Sequence, residues 1–544
     1  MNNKRRIIST AALIYANGSV HLGHLVEYIQ ADIWVRFQKM RGHEIYYICG
    51  SDCHGTPIMT KAQQLGIEPE VLVQQSAQEQ LADFAKFHIE FDAFELTHSE
   101  ENKALVYGMY EKLKANGDIE TRTIEQAFDP EKNMFLPDRF IKGQCPKCKA
   151  EDQYGDGCEA CGSTYNPTDL IHPRSVLSGA TPITKQTEHF FFKLSHYEDF
   201  LKQWTRGDQL QTEISNKLSE WFEAGLKDWD ISRDAPYFGF DIPNEPGKYF
   251  YVWLDAPVGY MASFLRVCQE RGLDFNSFWS RNSDAELYHF IGKDIVYFHA
   301  LFWPAMLHGA DYRTPTAIFS HSFLTVNGKK MSKSRGTFIN ASTFAEHINP
   351  ELLRYYFAAK LSNTIEDIDF SPNDFVLRVN ADLVGKLVNI ASRCAGFIHK
   401  YFESTLNRGT QSHPLWISFL THSETIAALY EQREFSHAIR EIMQLADKAN
   451  QYIDEHKPWQ LVKNPEQMDK AHEVCSVALN LFRVLITFLK PVLPETAQKV
   501  EAFLGCTSLS WTNIGTALEN HTIQPFTPLL TRVEETQLNA IFQA

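Results

Sequence analysis

Residues 6–37, RIISTAALIYANGSVHLGHLVEYIQADIWVRF, contain an apolar stretch, a turn and a helical pattern in succession. Arg6 to Leu13 is typical of a buried strand, and Ala16 to Ser19 of a turn. From about His24 apolar residues recur at every fourth position, which predicts a helix: Leu25, Ile29, Ile33 and Phe37. Glu44 to Cys49 is strand-like again and is closed by Gly50-Ser51-Asp52. This β-α-β order predicts a Rossmann-like parallel sheet that binds ligands at the carboxyl ends of its strands.

The rest of the chain predicts an insertion within this α/β domain and a helical domain after it. A chain of 544 residues exceeds what one hydrophobic core usually organises, so about three domains are expected. Turns and cysteines interrupt the pattern around residues 116–230, and from about residue 375 nearly every segment indicates amphipathic helix. The predicted divisions are residues 1–115 and 231–325 for the two catalytic halves, 116–230 for the insertion, 326–380 for a mobile-loop and connecting region, and 381–544 for the helical domain.

Composition limits the classes of partner and compartment. The net charge of −15 argues against general electrostatic affinity for nucleic acid, so an RNA partner would need local basic patches. The ten cysteines do not form a secreted disulfide pattern, which favours a reducing compartment. No run of about 18 apolar residues is evident, so no membrane span is expected. These observations predict a cytoplasmic protein.

The segment His21-Leu22-Gly23-His24 lies where the strand and turn pass into the helix. A helix start offers unpaired N–H groups and positive potential, and both suit phosphate. Gly23 has no side chain and lets the flat face of an adenine approach the backbone, while His21 and His24 can donate hydrogen bonds to phosphate oxygens. Taken alone, such a short motif also occurs by chance on surface helices.

The segment Lys330-Met331-Ser332-Lys333-Ser334 is flanked by Gly328 and Gly336. Two lysines and two hydroxyls on a glycine-bounded loop indicate a mobile cationic clamp for a triphosphate. Alone, the segment fits an exposed basic loop equally well.

Four cysteines follow the spacing Cys-x2-Cys-x9-Cys-x2-Cys, at Cys145, Cys148, Cys158 and Cys161. Each pair can direct two sulfurs at one ion, and four thiolates complete a tetrahedral zinc site. The glycines between and beside the pairs supply tight turns: Gly155, Gly157 and Gly162. With no place left for water, the pattern predicts one structural zinc ion that stabilises an insertion too small for its own core. A redox pair is the alternative.

The segment 253–260, WLDAPVGY, places Trp253, Pro257 and Tyr260 at helical spacings of four and seven. One face would present an indole, a proline ring and a phenol, a surface suited to a polarizable thioether. Asp255 is predicted to cap the helix, with Pro257 in its first turn. Ordinary core packing is the alternative interpretation.

The histidine and lysine motifs, about 300 residues apart, together resemble the signature pair of class I aminoacyl-tRNA synthetases. Three longer segments are similar to methionyl-tRNA synthetases of the bacterial zinc-containing type: YANGSVHLGH at 15–24, FYVWLDAP at 250–257 and FIGKDI at 290–295. The similarity extends over essentially the whole chain. It implies a methionine–tRNA ligase that activates methionine with ATP and Mg²⁺ and charges tRNA(Met), including initiator tRNA.

The resemblance also implies roles for individual residues. Asp52 matches the carboxylate that receives the substrate's ammonium group, as expected for a partly buried carboxylate beside a cation. The side chain of methionine would contact Leu13, Tyr15, Trp253, Pro257, Tyr260, Ile295 and His299. ATP would contact Gly23, Gly292, Asp294 and Lys333, and catalysis would depend on His21, His24, Arg233, Lys330 and Lys333.

In the helical domain, the resemblance implies recognition of the CAU anticodon. Asn389 and Arg393 are four residues apart and share one helix face, and Trp459 matches an aromatic residue that stacks on a base. The chain lacks the additional oligonucleotide-binding-fold domain that dimerises some relatives, so a monomer is expected, and no membrane partner is expected. Without the resemblance, Trp459 would be interpreted as a core anchor and Arg393 as a solvated charge.

Two positions modify this interpretation. The family usually has proline where this chain has Ile14, which predicts a looser backbone beside the methionine pocket. Cys53 next to Asp52 is expected to be an inert buried thiol. Three other functions stay open at this point: an adenylyltransferase without tRNA, a non-catalytic RNA-binding relative, and a synthetase for leucine, isoleucine, valine or cysteine.

Overall fold

The structure, a computed structural model, describes residues 4–137, 140–155, 158, 160, 161, 163, 165, 167–331 and 337–543. Of Gln543, the structure describes only the backbone. The first part of the chain alternates between strands and helices, as predicted. The strands are β1 (Arg6–Ala11), β2 (Ile14–Tyr15), β3 (Glu44–Asp52) and β4 (Ala93–Leu96). The helices are α1 (Leu22–Met40), α2 (Thr56–Leu65), α3 (Pro69–Lys86) and α4 (Glu100–Ala115).

The insertion is built from antiparallel strands and two helices. Its strands are β5 (Ile119–Asp129), β6 (Met134–Phe135), β7 (Ile141–Gln144), β8 (Gln153–Tyr154), β9 (Ile171–Ser175), β10 (Ile183–Phe192) and β11 (Trp229–Asp230). The helices are α5 (Glu198–Trp204) and α6 (Thr212–Ala224). The long β5–β10 pair forms the base of the insertion, and the small β8-β7-β9 sheet lies at its cysteine-rich end.

After the insertion the chain returns to the first sheet. The strands are β12 (Ser232–Asp234), β13 (Lys248–Phe250), β14 (Glu286–Gly292) and β15 (Ala317–His321), and the helices are α7 (Val252–Asp255), α8 (Val258–Arg271), α9 (Asn276–Trp279) and α10 (Trp303–Gly309). A π-helical turn, Phe298–Phe302, precedes α10. The central sheet has the order β15-β14-β1-β3-β2, with β4 also paired to β3, and all these pairs are parallel. The predicted parallel sheet is therefore confirmed.

A short connecting region follows the sheet. It contains β16 (Leu324–Val326), β17 (Lys329–Lys330), α11 (Ala341–His347), α12 (Pro350–Ala358), β18 (Ile368–Phe370), α13 (Pro372–Val379) and a π-helical segment, Asn380–Val388. Strands β16 and β17 form a hairpin whose turn residues Asn327 and Gly328 have φ of 50° and 70°. Positive φ at both positions is the geometry of a tight hairpin turn, and it directs the lysine segment back towards the sheet.

The last part is a helical domain, as predicted. Its helices are α14 (Asn389–Tyr401), α15 (Pro414–Thr421), α16 (Ser423–Glu431), α17 (Phe435–His456), α18 (Pro458–Leu461), α19 (Met468–Leu489), α20 (Pro494–Leu504) and α21 (Glu535–Gln543). Helix α19 lies at the centre of the bundle, and nearly all of its residues after Val474 are buried. Residues 505–534 contain no helix or strand.

One helical segment of this bundle is long and apolar. Among the described residues, Pro465–Leu489 is long and apolar enough to cross a membrane, with a mean hydropathy of 1.4 in its most apolar window. The structure buries 89% of that window among the other helices. Its hydropathy is therefore explained by its place in the bundle core.

Helix α12 joins the parallel sheet domain to the bundle. Arg354 is fully buried and donates to Asp32 on α1 at 2.7 Å, to the carbonyl of Phe87 after α3, and to the carbonyls of Pro491 and Val492 between α19 and α20. One guanidinium therefore satisfies four acceptors from both sides of the junction.

Candidate active site, anticodon-binding groove and metal site

The histidine motif forms the start of α1, which begins at Leu22, two residues before the predicted position. His21 is the N-cap residue, and its Nδ1 accepts a hydrogen bond from the backbone N–H of His24 at 3.3 Å. In return, Nδ1 of His24 accepts from the backbone N–H of His21 at 3.3 Å. Because Nδ1 is an acceptor in both rings, the proton of each neutral imidazole lies on Nε2. The capping box thus orients both rings as Nε2–H donors.

The two rings stack with centroids 3.6 Å apart. Burial and the neighbouring His21 lower the pKa of His24 to about 3, so His24 is neutral near pH 7. A Cβ at Gly23 would lie 2.6 Å from Cε of Met331 and 3.0 Å from the His21 ring. A larger residue at this position would therefore displace the end of the Met331 side chain and press against the His21 ring.

A cavity of about 460 Å³ opens in front of this helix start. It brings together predicted nucleotide residues from three distant parts of the chain: His21, Gly23, His24, Gly292, Asp294 and Lys330. Gly292 ends β14 and Asp294 is exposed two residues later, which places both at the carboxyl edge of the sheet, as predicted. Lys333 lies outside the described residues, as do Ser332, Ser334 and Gly336.

Glu27 and His321 also lie in the wall of this cavity and were not predicted from the sequence. Glu27 is buried one turn after His24; it accepts from the backbone N–H of Ala12 at 2.6 Å and lies 3.3 Å from Nε2 of His321 at the end of β15. Its position three residues after His24, on the same helix face, was the available signal. The partnership with His321 was not predictable, because it joins residues 294 positions apart.

A second cavity of about 180 Å³ adjoins the first. Its lining includes seven of the eight predicted methionine contacts: Leu13, Asp52, Trp253, Pro257, Tyr260, Ile295 and His299. The eighth, Tyr15, lines the nucleotide cavity beside it and donates to the carbonyl of His54 at 3.0 Å. Ala12, Ala256, Phe298 and Trp303 complete the mainly apolar wall.

Asp52 provides the charge of this second cavity. Its Oδ1 is buried and has no hydrogen-bond partner among the described residues. Burial, with the charge of Asp255 nearby, raises its pKa well above the ordinary value of a carboxyl group. An unpartnered carboxylate facing an apolar pocket is a site that a cationic group would stabilise.

Tyr260 and His299 form the polar end of the same cavity. Nδ1 of His299 lies 3.1 Å from the carbonyl of Ile295 and must donate to it, so Nε2 is the acceptor for the Tyr260 hydroxyl at 2.9 Å. Burial lowers the pKa of His299 to about 4 and keeps the imidazole neutral. The Tyr260 oxygen can therefore still accept a hydrogen bond beside the apolar pocket, and the Tyr260–His299 pair carries no charge.

The prediction that Asp255 caps a helix is wrong. Trp253 and Tyr260 lie on two short consecutive helices, α7 and α8, and Pro257 occupies the N-cap position of α8 without a side-chain cap. The fully buried Asp255 instead bonds Nδ1 of His54 across the sheet, and Nε2 of His54 lies 2.9 Å from Nδ1 of His98. No sequence pattern predicts this pair, because its members are 201 residues apart.

Arg233 lies on β12, at the junction of the insertion and the sheet. Its guanidinium stacks over Tyr251 at 3.7 Å from the ring centroid and makes an ion pair with Asp230 at 3.4 Å. It lines a third cavity, of about 750 Å³, that also contacts Tyr15, Asp52 and Trp253. The predicted activation residue therefore lies next to the second cavity and outside the lining of the first cavity.

On the helical domain, a surface groove of about 370 Å³ lies between α14 and α18. Its lining includes Arg393 and Trp459, which the sequence predicted, with the guanidinium 4.9 Å from the indole centroid. Asn389 lies one helical turn before Arg393. Sequence analysis missed the remaining lining residues: Ser392, Gly396, Phe397, Lys400 and Tyr401.

The four predicted metal ligands come together at the end of the insertion. Their sulfur atoms all lie within 4.8 Å of one another, with Sγ of Cys145 and Cys161 at 3.9 Å and Sγ of Cys148 and Cys158 at 3.5 Å. A tetrahedral site with Zn–S bonds of about 2.3 Å has S···S edges of about 3.8 Å, so the cluster fits zinc. Of the predicted turn glycines, Gly155 is described, whereas Gly157 and Gly162 lie outside the described residues.

Cys53 and Ile14 are the two positions for which the sequence predicted a departure or a special property. Cys53 is fully buried, as predicted, and burial raises its pKa to about 12; the inertness of this thiol stays a prediction. Ile14 is in β2, paired with Ser51, whose hydroxyl lies 3.4 Å from the Ile14 carbonyl. Strand pairing holds the Ile14 backbone in the sheet, and the expected looser backbone beside the pocket stays a prediction.

The comparisons with known proteins agree with this geometry. Residues 7–395 match the model of the family "tRNA synthetases class I (M)", and residues 405–534 match "Anticodon binding domain of methionyl tRNA ligase". Similar solved structures include the methionyl-tRNA synthetase of Mycobacterium tuberculosis in complex with methionyl-adenylate, with a TM-score of 0.79 and 24% identity over 96% of this chain and 99% of that chain. The free form of that enzyme has a TM-score of 0.73 and 22% identity, covering 98% and 99%. At these identities the structural likeness concerns the fold.

Proposed function

The chain belongs to the class I tRNA synthetases of the (M) family, and from this premise we propose which residues carry its reaction. The protein is a methionine–tRNA ligase, which activates methionine with ATP and transfers it to tRNA. We propose the domain division at residues 1–115, 116–230, 231–325, 326–380 and 381–544. We also propose that the enzyme is a monomer and that it is located in the cytoplasm.

The observation that carries the assignment of the amino acid is the second cavity. Asp52 offers an unpartnered carboxylate oxygen, Oδ1, to the substrate's ammonium group, whereas the nearby Asp255 already bonds His54 through its Oδ2. The thioether would contact Trp253, Pro257 and Ile295, apolar surfaces that suit a polarizable sulfur. The neutral Tyr260–His299 pair gives the sulfur a polar neighbour without a charge that would favour an ionic side chain.

ATP is proposed to occupy the first cavity, accompanied by Mg²⁺ as its usual substrate complex. A methionine carboxylate oxygen attacks the α-phosphorus, the bond to the β-phosphate oxygen breaks, and pyrophosphate leaves. The charge that develops on the phosphate oxygens would be stabilised by the Nε2–H groups of His21 and His24 and by the ammonium group of Lys330. Lys333 is assigned the same role from sequence alone. The adenosine would lie beside Gly23, Gly292 and Asp294.

A ribose hydroxyl of the tRNA then attacks the acyl carbon of methionyl-adenylate, and AMP leaves. The large third cavity, beside Arg233 and Tyr15, connects the methionine pocket to the surface of the insertion and is the proposed approach for the tRNA end. Asn389, Arg393 and Trp459 are proposed to recognise anticodon bases by hydrogen bonding and stacking. Zinc bound by the four cysteines is structural, because all four positions of a tetrahedral ion are taken by thiolates.

Amino-acid-dependent ATP–pyrophosphate exchange tests the first half of this proposal. Exchange with methionine is expected to exceed exchange with leucine, isoleucine, valine and cysteine at equal concentrations. An adenylyltransferase without an amino acid substrate would show no dependence on methionine. Exchange that depends on one of the competitors instead would overturn the assignment of the pocket.

A further inference from the structure

The groove on the helical domain is longer than its predicted anticodon residues require. We propose that Tyr401, supported by Phe397, is a second stacking platform that binds a further base of the tRNA loop, next to the bases recognised by Asn389, Arg393 and Trp459. This inference rests on the proposed tRNA-binding role of the groove.

The groove has an aromatic residue at each end. Trp459 stands at one end with the Arg393 guanidinium over its ring, and Tyr401 stands at the other. Arg393 and Tyr401 are eight residues apart on α14, which corresponds to about 12 Å along the helix axis. Stacked bases rise about 3.4 Å per nucleotide, so this length accommodates more than one base.

Tyr401 has the features of an RNA-stacking residue. Its side chain is 38% exposed, although a large aromatic ring on a bundle helix usually packs inward. Phe397, one turn earlier, stacks with it at a centroid distance of 6.4 Å and an interplanar angle of 21°. Lys400 places its ammonium 5.1 Å from the Tyr401 centroid. An exposed ring with a parallel neighbour and an adjacent cation is what single-stranded nucleic acid binds, because every base has a π face and a nearby phosphate.

The floor between the two aromatic ends is Gly396. A Cβ added to this glycine would meet no atom within 4 Å, so the space above it is open. Glycine in a helix interior lowers helix stability relative to other residues, and no backbone constraint requires it here, since its φ is not positive. The absence of a side chain therefore leaves room for a planar base between Trp459 and Tyr401.

Charge also favours RNA in this groove. The protein as a whole is acidic, with a net charge of −15, yet the groove lining contains two cations, Arg393 and Lys400, and no acidic residue among its described residues. Asp454 approaches from α17 and pairs with Arg393, which fixes the guanidinium at one end. The Lys400 end therefore provides the positive charge that a backbone phosphate beyond the anticodon bases would meet.

Tyr401→Ala, Tyr401→Phe and Gly396→Leu test the platform. Binding is measured with an anticodon stem–loop RNA as the probe, and kinetics are measured with full tRNA in charging assays. Tyr401→Ala is expected to weaken stem–loop binding and to raise KM for tRNA by roughly tenfold, the effect of one lost base–aromatic stack. Tyr401→Phe keeps the ring and is expected to restore binding. In both variants kcat and methionine-dependent pyrophosphate exchange are expected to match the wild type, because the groove lies on the helical domain, away from the active site.

Gly396→Leu separates loss of binding from loss of folding. The leucine side chain would fill the open floor and weaken RNA binding, whereas leucine in a helix interior raises helix propensity, so Tm should not fall. Ile417→Ala is the matched control, since Ile417 is 51% exposed on α15 and lies outside the groove lining. Its RNA binding is expected to be unchanged.

The outcomes distinguish this inference from the proposed function. If Tyr401→Ala and Gly396→Leu bind RNA as the wild type does while Trp459→Ala loses binding, the platform is wrong and the anticodon assignment stands. If Trp459→Ala has no effect either, the tRNA-binding role of the groove itself fails. Equal weakening by Tyr401→Phe and Tyr401→Ala would also overturn the platform, because stacking does not need the hydroxyl.

Discussion

At the scale of single residues, Asp52 is the residue proposed to bind the ammonium group of the substrate. Its Oδ1 is buried without a hydrogen-bond partner among the described residues, and a bound ammonium group would provide one. The charge is therefore expected to matter more for binding methionine than for binding ATP.

Asp52→Asn tests this expectation. Losing one partner of a buried charge pair usually costs about 2–5 kcal/mol, so KM for methionine in pyrophosphate exchange should rise by at least about 30-fold. KM for ATP should change little, because Asp52 lines the methionine cavity and not the nucleotide cavity. Equal increases in both KM values would contradict the assignment.

His24 gives a prediction about pH. The pKa of the folded-state imidazole is lowered to about 3, so the stability that its neutral form contributes is present above the ordinary histidine pKa and is lost as the pH falls below it. Near neutral pH the ring does not titrate. His24→Asn should lower the rate of pyrophosphate exchange while the shape of its pH profile around neutrality stays the same. A limb that disappears from the profile in His24→Asn would show that His24 titrates during catalysis.

Much of the site was predictable at this scale, because short motifs keep several of its residues together in sequence. The partner residues that orient these side chains were not predictable. His54 and Asp255, or Glu27 and His321, come from different strands and helices, and neither member of a pair predicts the other. Ile14 shows the same limit, since its backbone is held by Ser51 on the neighbouring strand.

At the scale of elements, the cysteine-rich end of the insertion depends on its metal. Among the described residues, its local core contains five buried apolar residues, which are Ala127, Leu136, Phe140, Ile141 and Leu170. A core of this size is too small to stabilise a fold without further links. The sequence predicted this element well, because the ligand spacing is local.

Zinc removal is therefore expected to unfold this element first. The purified protein should contain one zinc ion per chain by atomic absorption, and a chelator should release it. Release should expose the β8-β7-β9 sheet to proteolysis while the helical domain stays resistant. Cys148→Ser should lower the zinc content in the same way, with Cys506→Ser, remote from the cluster, as the control. A metal-free protein with unchanged protease sensitivity would contradict the structural role.

Helical segments show where sequence periodicity stops being informative. The apolar pattern located α1 and the bundle helices, but the π-helical turn Phe298–Phe302 was not predicted, because its hydrogen bonding depends on packing around it. That turn carries His299 into the methionine pocket. The short helices α7 and α8 were expected as one helix for the same reason.

At the scale of the whole molecule, helix α1 begins in the nucleotide cavity and continues towards the helical domain. Phe37, near its end, stacks on Tyr430 of α16 with ring centroids 5.2 Å apart. Asp32, in its middle, holds Arg354 at the junction. The junction is therefore a continuous packed contact between the part that activates methionine and the part proposed to bind the anticodon.

Arg354→Leu should destabilise the whole protein. It leaves buried carbonyl acceptors without donors, each worth about 1–3 kcal/mol, so a total loss of roughly 3 kcal/mol or more is expected. Arg281→Leu is the control, because the Arg281–Asp311 pair is exposed and such pairs contribute about 0–1 kcal/mol. Urea denaturation followed by circular dichroism compares the two. Similar midpoints for both variants would show that the junction does not depend on Arg354.

The overall composition of the chain was the least informative property for predicting its function. The acidity of the chain indicated little affinity for nucleic acid, whereas the groove concentrates Arg393 and Lys400 beside two aromatic rings. A local patch of this kind is invisible in a net charge, because its members are brought together by α14 and α18 only after folding.

The most direct test of the account is the charging of tRNA with labelled methionine. We compare a tRNA that carries the CAU anticodon with the same tRNA in which only the anticodon is changed. The account predicts methionylation of the CAU tRNA, with a large loss of kcat/KM for the altered one, and loss of this preference in Trp459→Ala. Absence of methionylation, or equal charging of both tRNAs by the wild-type protein, would contradict it.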